Sequence, residues 1–363
     1  MKTKKIWILI ISLILIGLLC MATYGQESAA GKYQVKSTAY WTYPRLTLQE
    51  AEDLAPYGLI IIDLENFWNN PESLAKIKEI NPSAKLVCYS NPMEFFDPVL
   101  SDRPQQQRWS QRIATHYASW LLKTAEGSTA IFWPGMIMLN LSAACPTYET
   151  PEFGEINYGQ WMAQEILRLL ENPIWDGYYM DNGGGNISWL YQDKGTQIDA
   201  DGDGQADENS RLDSTWSLGV HDFLKIIRQT KGPDFILLAN KGSVGFMDVL
   251  DGRFFENFPC DYLGDKQDGG WHQCMYNALQ TGPYTTLQVP SSDDAEFGVA
   301  SALLVDAYVA IGQDNLRNYP QLRRGLGQAL GVAMRQDSLF FREFENGRVE
   351  VRPAIKQGRI ILR

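Results

Sequence analysis

The chain has 363 residues, 43 of them acidic against 32 basic, for a net charge of −11; this excludes a nucleic-acid partner, because phosphate binding rests on basic patches and none follows the first few residues. Apolar residues make up 45%, and no Pro/Gly/Ser-rich linker, repeat or low-complexity tract divides the sequence, so a disordered or modular chain is excluded as well. His116, His221 and His272 form no His-Glu-x-x-His pattern, Gly183–Gly185 lacks the spacing and the lysine of a nucleotide loop, and no Gly-x-Ser-x-Gly elbow occurs, which removes zinc proteases, nucleotide binders and serine hydrolases.

At the N-terminus, Met1-Lys-Thr-Lys-Lys5 precedes an uncharged apolar run from Ile6 to Ala22, the order of a secretory signal. Small residues at Thr23 and Gly25 fit cleavage after Gly25, leaving residues 26–363 as one domain that is secreted, periplasmic or held at the cell surface. The run falls short of the roughly 20 residues of a membrane span. Membrane attachment through an uncleaved signal, or through a lipid on Cys20, stays open, although Leu19 is bulkier than lipoprotein signals prefer. Export permits disulfides. Cys260 and Cys274, in a loop-rich stretch, are the expected pair, Cys145 is unassigned, and Cys88 inside an apolar run reads as a buried thiol.

Beyond the signal, β-rich runs alternate with stretches of helical period. Strands are expected at Val35–Thr42, Gly58–Leu64 and Lys85–Asn91, with a helix at Pro71–Ile80. A long excursion carries a helix at Arg108–Thr124, an apolar segment at Met136–Leu141 and a helix at Tyr158–Glu171. Trp175–Asp181 is the next strand. A helix at Asp213–Thr230, strands at Phe235–Asn240, Gly252–Asn257 and Tyr284–Val289, and a helix at Ala295–Val305 follow. Seven or eight strands in βα order predict an α/β fold, a (β/α)8 TIM barrel. Phe340–Phe344 and Val349–Arg352, joined around Asn346-Gly347, predict a C-terminal β-hairpin.

Barrels of this kind carry their chemistry at the C-terminal strand ends. Acids stand there at Asp63 and Glu65, at Asp181, and at Glu256. Glycosidic hydrolysis needs two carboxyl groups, one to protonate the leaving oxygen and one to attack or to activate water. Asp181 and Glu256 supply that pair, with Asp63, Glu65 and Asp306 as reserves; helix capping and ion pairing are the competing uses of such acids.

Three segments, Trp175-Asp-Gly-Tyr-Tyr-Met-Asp181-Asn182, Arg253-Phe-Phe-Glu-Asn-Phe258 and Phe341-Arg-Glu-Phe-Glu-Asn-Gly-Arg-Val349, resemble motifs of the TIM-barrel glycoside hydrolases grouped as hypothetical glycosyl hydrolase family 15, with polygalactosaminidase-type hydrolases as more distant kin. The correspondence runs from about Tyr40 to Pro353. It implies hydrolysis of O-glycosidic bonds in a poly- or oligosaccharide, with Asp181 as nucleophile and Glu256 as general acid/base, roles open to exchange. The chain departs from the pattern at Arg352-Pro353, where the family tends to have Asn-Pro. A non-catalytic carbohydrate-binding barrel is the alternative reading.

Rings that could stack on sugar faces stand at or after strand ends: Tyr40, Trp41, Trp68, Tyr89, Trp133, Trp189 and Trp271. Core filling is the competing use of each. Trp41 and Trp271, amid polar neighbours, are preferred. With Asp63, Glu65, Tyr89, Asn91, Asn182 and Lys241 they make the expected substrate-binding set; Asn140 is a further hydroxyl partner. The segment 199–210 reads as an inserted calcium loop: Asp199, Asp201 and Asp203 at positions 1, 3 and 5, a glycine at 6, and the carbonyl of Gln205 at 7. Position 12 is Ser210, so the last ligand is expected from Asp207, Glu208 or Asp213. A structural Ca²⁺ is the expected cofactor. The sequence does not specify the oligomeric state.

Overall fold

The computed structural model describes residues 35–260, 269–312 and 325–363; the expected signal peptide, residues 1–25, lies outside them. Eight short strands pair in parallel and in chain order: β1 (Thr38–Trp41), β2 (Leu59–Asp63), β3 (Lys85–Ser90), β4 (Gly177–Met180), β5 (Ile236–Asn240), β6 (Gly252–Phe255), β7 (Thr286–Val289) and β8 (Tyr308–Ile311). A parallel bridge between Ser37 and Val309 closes the ring from β8 to β1. The fold is thus the expected (β/α)8 barrel.

Strand side chains alternate between two faces, and the inward phase fills the barrel. Leu59, Ile61, Val87, Tyr179, Ile236, Leu238, Phe254 and Ala310 form one buried cluster, with Tyr40 and Tyr89 packed against it. Thr38 and Thr286 complete it on the β1 and β7 side, their hydroxyls 2.9 Å apart. This is a packed interior, as small barrels require.

Outside the ring lie α1 (Leu48–Leu54), α2 (Pro71–Ile80), α3 (Pro104–His116), α4 (Tyr158–Leu169), α5 (Asn209–Lys231), α6 (Trp271–Ala278) and α7 (Ala295–Val305). Thr47 and Glu50 close a reciprocal capping box on α1, as Asn157 and Gln160 do on α4. Apart from the exposed Glu296 in its first turn, helix α7 is buried from Ala295 to Leu304, because it is covered on both sides. The barrel covers one side and a C-terminal antiparallel sheet the other. That sheet has four strands, β9 (Met334–Gln336), β10 (Leu339–Phe344), β11 (Gly347–Arg352) and β12 (Gln357–Leu362), where a hairpin was expected. A Cβ at Gly358 would stand 2.6 Å from the Phe297 Cα, so glycine is what lets β12 lie directly on α7. Among the described residues no helix is long and apolar enough to cross a membrane.

Two expectations are corrected and one segment is placed. The helix expected at Arg108–Thr124 starts at Pro104 and stops at His116, because Tyr117 and Trp120 turn inward to stack, with ring centroids 4.3 Å apart. Met136–Met138, within the apolar segment Met136–Leu141, pairs antiparallel with Glu94–Phe96, outside the ring; the eighth barrel strand is β8. Cys260 and Cys274 are not bridged: each buried thiol donates to a backbone carbonyl, that of Glu256 at 3.2 Å and of Pro259 at 3.0 Å. Cys88 is buried, as expected.

Candidate active site

The inward phase of the strands, continued past their ends, selects the site. Positions 59 and 61 lead to Asp63, 87 to Tyr89, 177 and 179 to Asp181, 236 and 238 to Asn240, and 252 and 254 to Glu256. Asn240 joins the two principal acids: its Nδ2 donates to Asp181 Oδ1 at 2.8 Å and to Glu256 Oε2 at 2.9 Å. Its Oδ1 accepts from the Lys241 N–H at 2.6 Å, which fixes the orientation of the amide. The two N–H bonds of an amide diverge by about 120°, so these carboxylate oxygens lie roughly 5 Å apart.

Asp181 is held by two further donors, the Tyr89 hydroxyl to Oδ2 at 2.6 Å and the Asn182 N–H to Oδ1 at 2.7 Å. Glu256 has its carboxyl raised above the ordinary range by burial and by the charge of Asp181, against the lowering effect of the Asn240 hydrogen bond. Lys241, beside Asn240, has its ammonium lowered by burial despite the opposing charges of Asp181 and Asp193.

A pocket of about 250 Å³ opens on the other side of Asp181, lined among others by Asp63, Glu65, Tyr89, Asn91, Glu94, Arg103, Trp133 and Asn182. Asp63 is buried and paired with Arg103 at 2.9 Å. Glu65 caps α3, accepting the N–H groups of Gln105 at 2.9 Å and Gln106 at 2.8 Å, and burial pushes its carboxyl up to about 7. Glu94 is also pushed up to about 7, by burial first and by the charge of Asp181 besides. It accepts from Asn91 at 3.2 Å, Asn182 at 3.5 Å and the Trp133 N–H at 3.4 Å.

Of the expected substrate-binding residues, Asp63, Glu65, Tyr89, Asn91 and Asn182 line this pocket, and Lys241 stands at the β5 end. Trp41 has the outward phase; its indole N–H is taken by the Arg45 carbonyl at 3.0 Å. Trp271 is 2% exposed, bonded to Ser301 at 2.9 Å and packed on Phe340. It fastens α6 to α7 and the C-terminal sheet, so it does not face the pocket. Asp306 ends α7 below β8, where it pairs with Lys36, at the opposite end of the barrel from the acids. Asn140 is buried and donates to the Ala200 carbonyl at 2.7 Å, supporting the acidic loop.

In that loop, Asp199, Asp201 and Asp207 can bring one oxygen each within 4.8 Å of the others. Asp199 accepts the N–H groups of Gly202, Asp203 and Gly204, the wrapped arrangement of a first calcium ligand. Asp203 lies outside the cluster, its carboxylate turned to the Gln205 N–H at 2.9 Å, and Gln205 is exposed. Glu208 caps α5 and Asp213 binds Ile187 and Ser188; of the three residues expected to replace the twelfth ligand, only Asp207 joins. Arg211 pairs with Asp201 at 2.6 Å and stands 3.8 Å from Asp207.

The sequence reading missed Asn240, Glu94 and Arg253. Arg253 has the outward phase, and burial lowers its guanidinium to about 10. It donates to the carbonyls of Gly183 at 2.8 Å, Asn240 at 2.9 Å and Gly245 at 2.5 Å, tying the segments after β4 and β5 to the strand that carries Glu256.

The family model of hypothetical glycosyl hydrolase family 15 matches residues 78–348. Similar solved structures include the noncanonic maltogenic alpha-amylase AmyB of Thermotoga neapolitana, at TM-score 0.48 and 10% identity over 87% of this chain and 84% of that one. A quadruple mutant of the alpha-N-acetylgalactosaminidase NagBb of Bifidobacterium bifidum gives 0.50 and 9% over 90% and 57%. A GH31 dextranase of Flavobacterium johnsoniae gives 0.46 and 14% over 78% and 37%, so the chain spans little more than a third of that enzyme. At these identities the likeness is one of fold. Among curated proteins none matches.

Proposed function

This chain belongs to hypothetical glycosyl hydrolase family 15, and we propose that it cleaves O-glycosidic bonds of a poly- or oligosaccharide by double displacement, with Asp181 as nucleophile and Glu256 as acid and base. The Asn240 bridge is the observation that supports this most directly: a carboxyl separation of about 5–5.5 Å suits a nucleophile and an acid/base, whereas inversion needs room for a water between them, at about 6.5–9.5 Å. Glu256, whose protonated form is favoured by burial and by the charge of Asp181, gives its proton to the leaving oxygen as Asp181 bonds to the anomeric carbon. In the second step Glu256 takes a proton from water, whose oxygen displaces Asp181. Tyr89, Asn182 and Asn240 hold the attacking carboxylate in place throughout.

Asp181→Asn and Glu256→Gln should each lower kcat on a hydrolysed polysaccharide by about 10²–10⁴-fold, with unfolding midpoints near that of the wild type. NMR of the first-formed product should show the anomeric configuration retained; an inverted product would rule out double displacement. Residues 1–25 are proposed to direct export. Mass spectrometry of the exported chain should then find Gln26 at its N-terminus, and a chain kept in the cytoplasm would refute it. The loop from Asp199 to Asp207 is proposed to hold a structural Ca²⁺ that orders the segment leading into α5, with no part in bond cleavage.

A further inference from the structure

Residues Ile131–Trp133 and the helix Trp189–Lys194 meet at the rim of the Asp181 pocket and leave large apolar side chains in water. Trp133 is 56% exposed, Ile131 51% and Tyr191 48%. The backbone that carries Trp133 is nonetheless fixed. Trp133 opens a turn in which the Met136 N–H returns to its carbonyl at 3.1 Å, Pro134 takes the second place and Gly135 the third, with φ 79°; this is the type II pattern, which needs glycine there. The Gly135 carbonyl is in turn bound by the Asp97 N–H at 2.9 Å.

Phe132 sits between Trp133 and Trp189, with centroids 4.9 and 4.6 Å away. Lys194 lies over Phe132 and Lys241 over Trp189, at 5.0 and 5.1 Å. The ledge therefore touches the site at both ends: at Trp133, which lines the pocket and donates its N–H to Glu94, and at Trp189 beneath Lys241, the residue after Asn240.

A rigid turn that presents a tryptophan to water gives up burial that a fold without a ligand would use. The occupant must have apolar faces and hydrated edges and must continue from the pocket. We infer that the ledge of Trp133, Phe132 and Trp189 binds the sugar units next to the one being cleaved, so that the substrate is an extended glycan chain rather than a single glycoside. The C–H face of each pyranose lies on the rings while its hydroxyls stay in water. This inference rests on the hydrolase reading above.

The test uses the mature protein with Asp181→Asn, so that no probe is degraded, in native gels containing dextran, amylopectin, xylan or galactomannan. At least one of the four should retard the protein. Adding Trp133→Ala should cut that retardation at least fivefold, with Trp133→Phe restoring most of it, and Tyr276→Ala on α6 should leave it unchanged. Thermal unfolding of each variant checks the fold, and Trp189→Phe probes the far end of the ledge. Retardation insensitive to Trp133→Ala, or none on any of the four, overturns the ledge. The hydrolase reading fails separately, if Glu256→Gln releases reducing ends as fast as the wild type from a glycan that the wild type cleaves.

Discussion

Asn240 gives up both amide hydrogens to carboxylates that would otherwise repel each other, and this sets the proton balance of the pair. Its hydrogen bond lowers the Glu256 carboxyl, while burial and Asp181 raise it. An acid catalyst must be protonated, so activity falls as pH rises through its pKa. For the wild type, the falling limb of kcat/KM should lie above the ordinary glutamate value of about 4.3. Asn240→Ala removes the one lowering contact, so the limb should move to still higher pH. Activity at the optimum should also drop, by about 10–100-fold, since the lost hydrogen bonds go to charged groups. A pH profile of the variant decides this; a limb that stays or moves down would contradict the bridge. The residue could have been found in the sequence, because the inward phase that leads to Asp181 and Glu256 leads equally to position 240. Glu94 could not, because it reaches the pocket only through the antiparallel pairing of Glu94–Phe96 with Met136–Met138, a contact that no local pattern announces.

Elements were readable where composition and period agreed, and missed where one hid the other. Strand β8 follows a mostly apolar helix after only Asp306 and Ala307, and the turn is made by Asp306 at φ 63°, so no glycine or proline marked it. Helix α6 did carry a signal: Trp271, Cys274, Met275 and Ala278, at helical spacing and all buried, outweigh the polar neighbours that suggested a loop. The acidic loop was readable from its alternating aspartates, but not the Arg211 guanidinium from the first turn of α5, which faces two of them. A Ca²⁺ bound there would have to displace that cation. Chelation should lower the melting temperature by a few degrees, as expected when a ligand bound to the folded state alone is removed. Asp199→Asn should abolish the difference and Arg211→Gln enlarge it. Equal melting curves with Ca²⁺ and with chelator would refute the site.

At the scale of the whole molecule, the barrel mouth gathers Asp63, Glu65, Glu94 and Asp181 on the lining of one pocket, with Arg103 as the cation of that lining, paired with Asp63, and fold stability must reflect it. Glu65 and Glu94 titrate at about 7 in the folded chain, against about 4.3 when unfolded. Between those values the folded state binds more protons than the unfolded one, so stability falls as pH rises. The contribution of each group is complete below about pH 4.3 and gone above about pH 7. Glu94→Gln fixes the neutral form and keeps an oxygen to accept from Trp133 or Asn91. At pH 8 it should be more stable than the wild type by up to about 4 kcal/mol, the full worth of such a shift, and near pH 4 the two should coincide. Urea unfolding across this range measures the difference directly. Parallel curves from pH 4 to 8 would mean that Glu94 is ionised in the folded protein, and a mouth holding that much negative charge would hold a sugar through its hydroxyls acting as donors. Convergence at low pH and divergence above it would mean that the protein keeps a neutral acid beside Asp181, able to donate to a sugar oxygen as well as to accept.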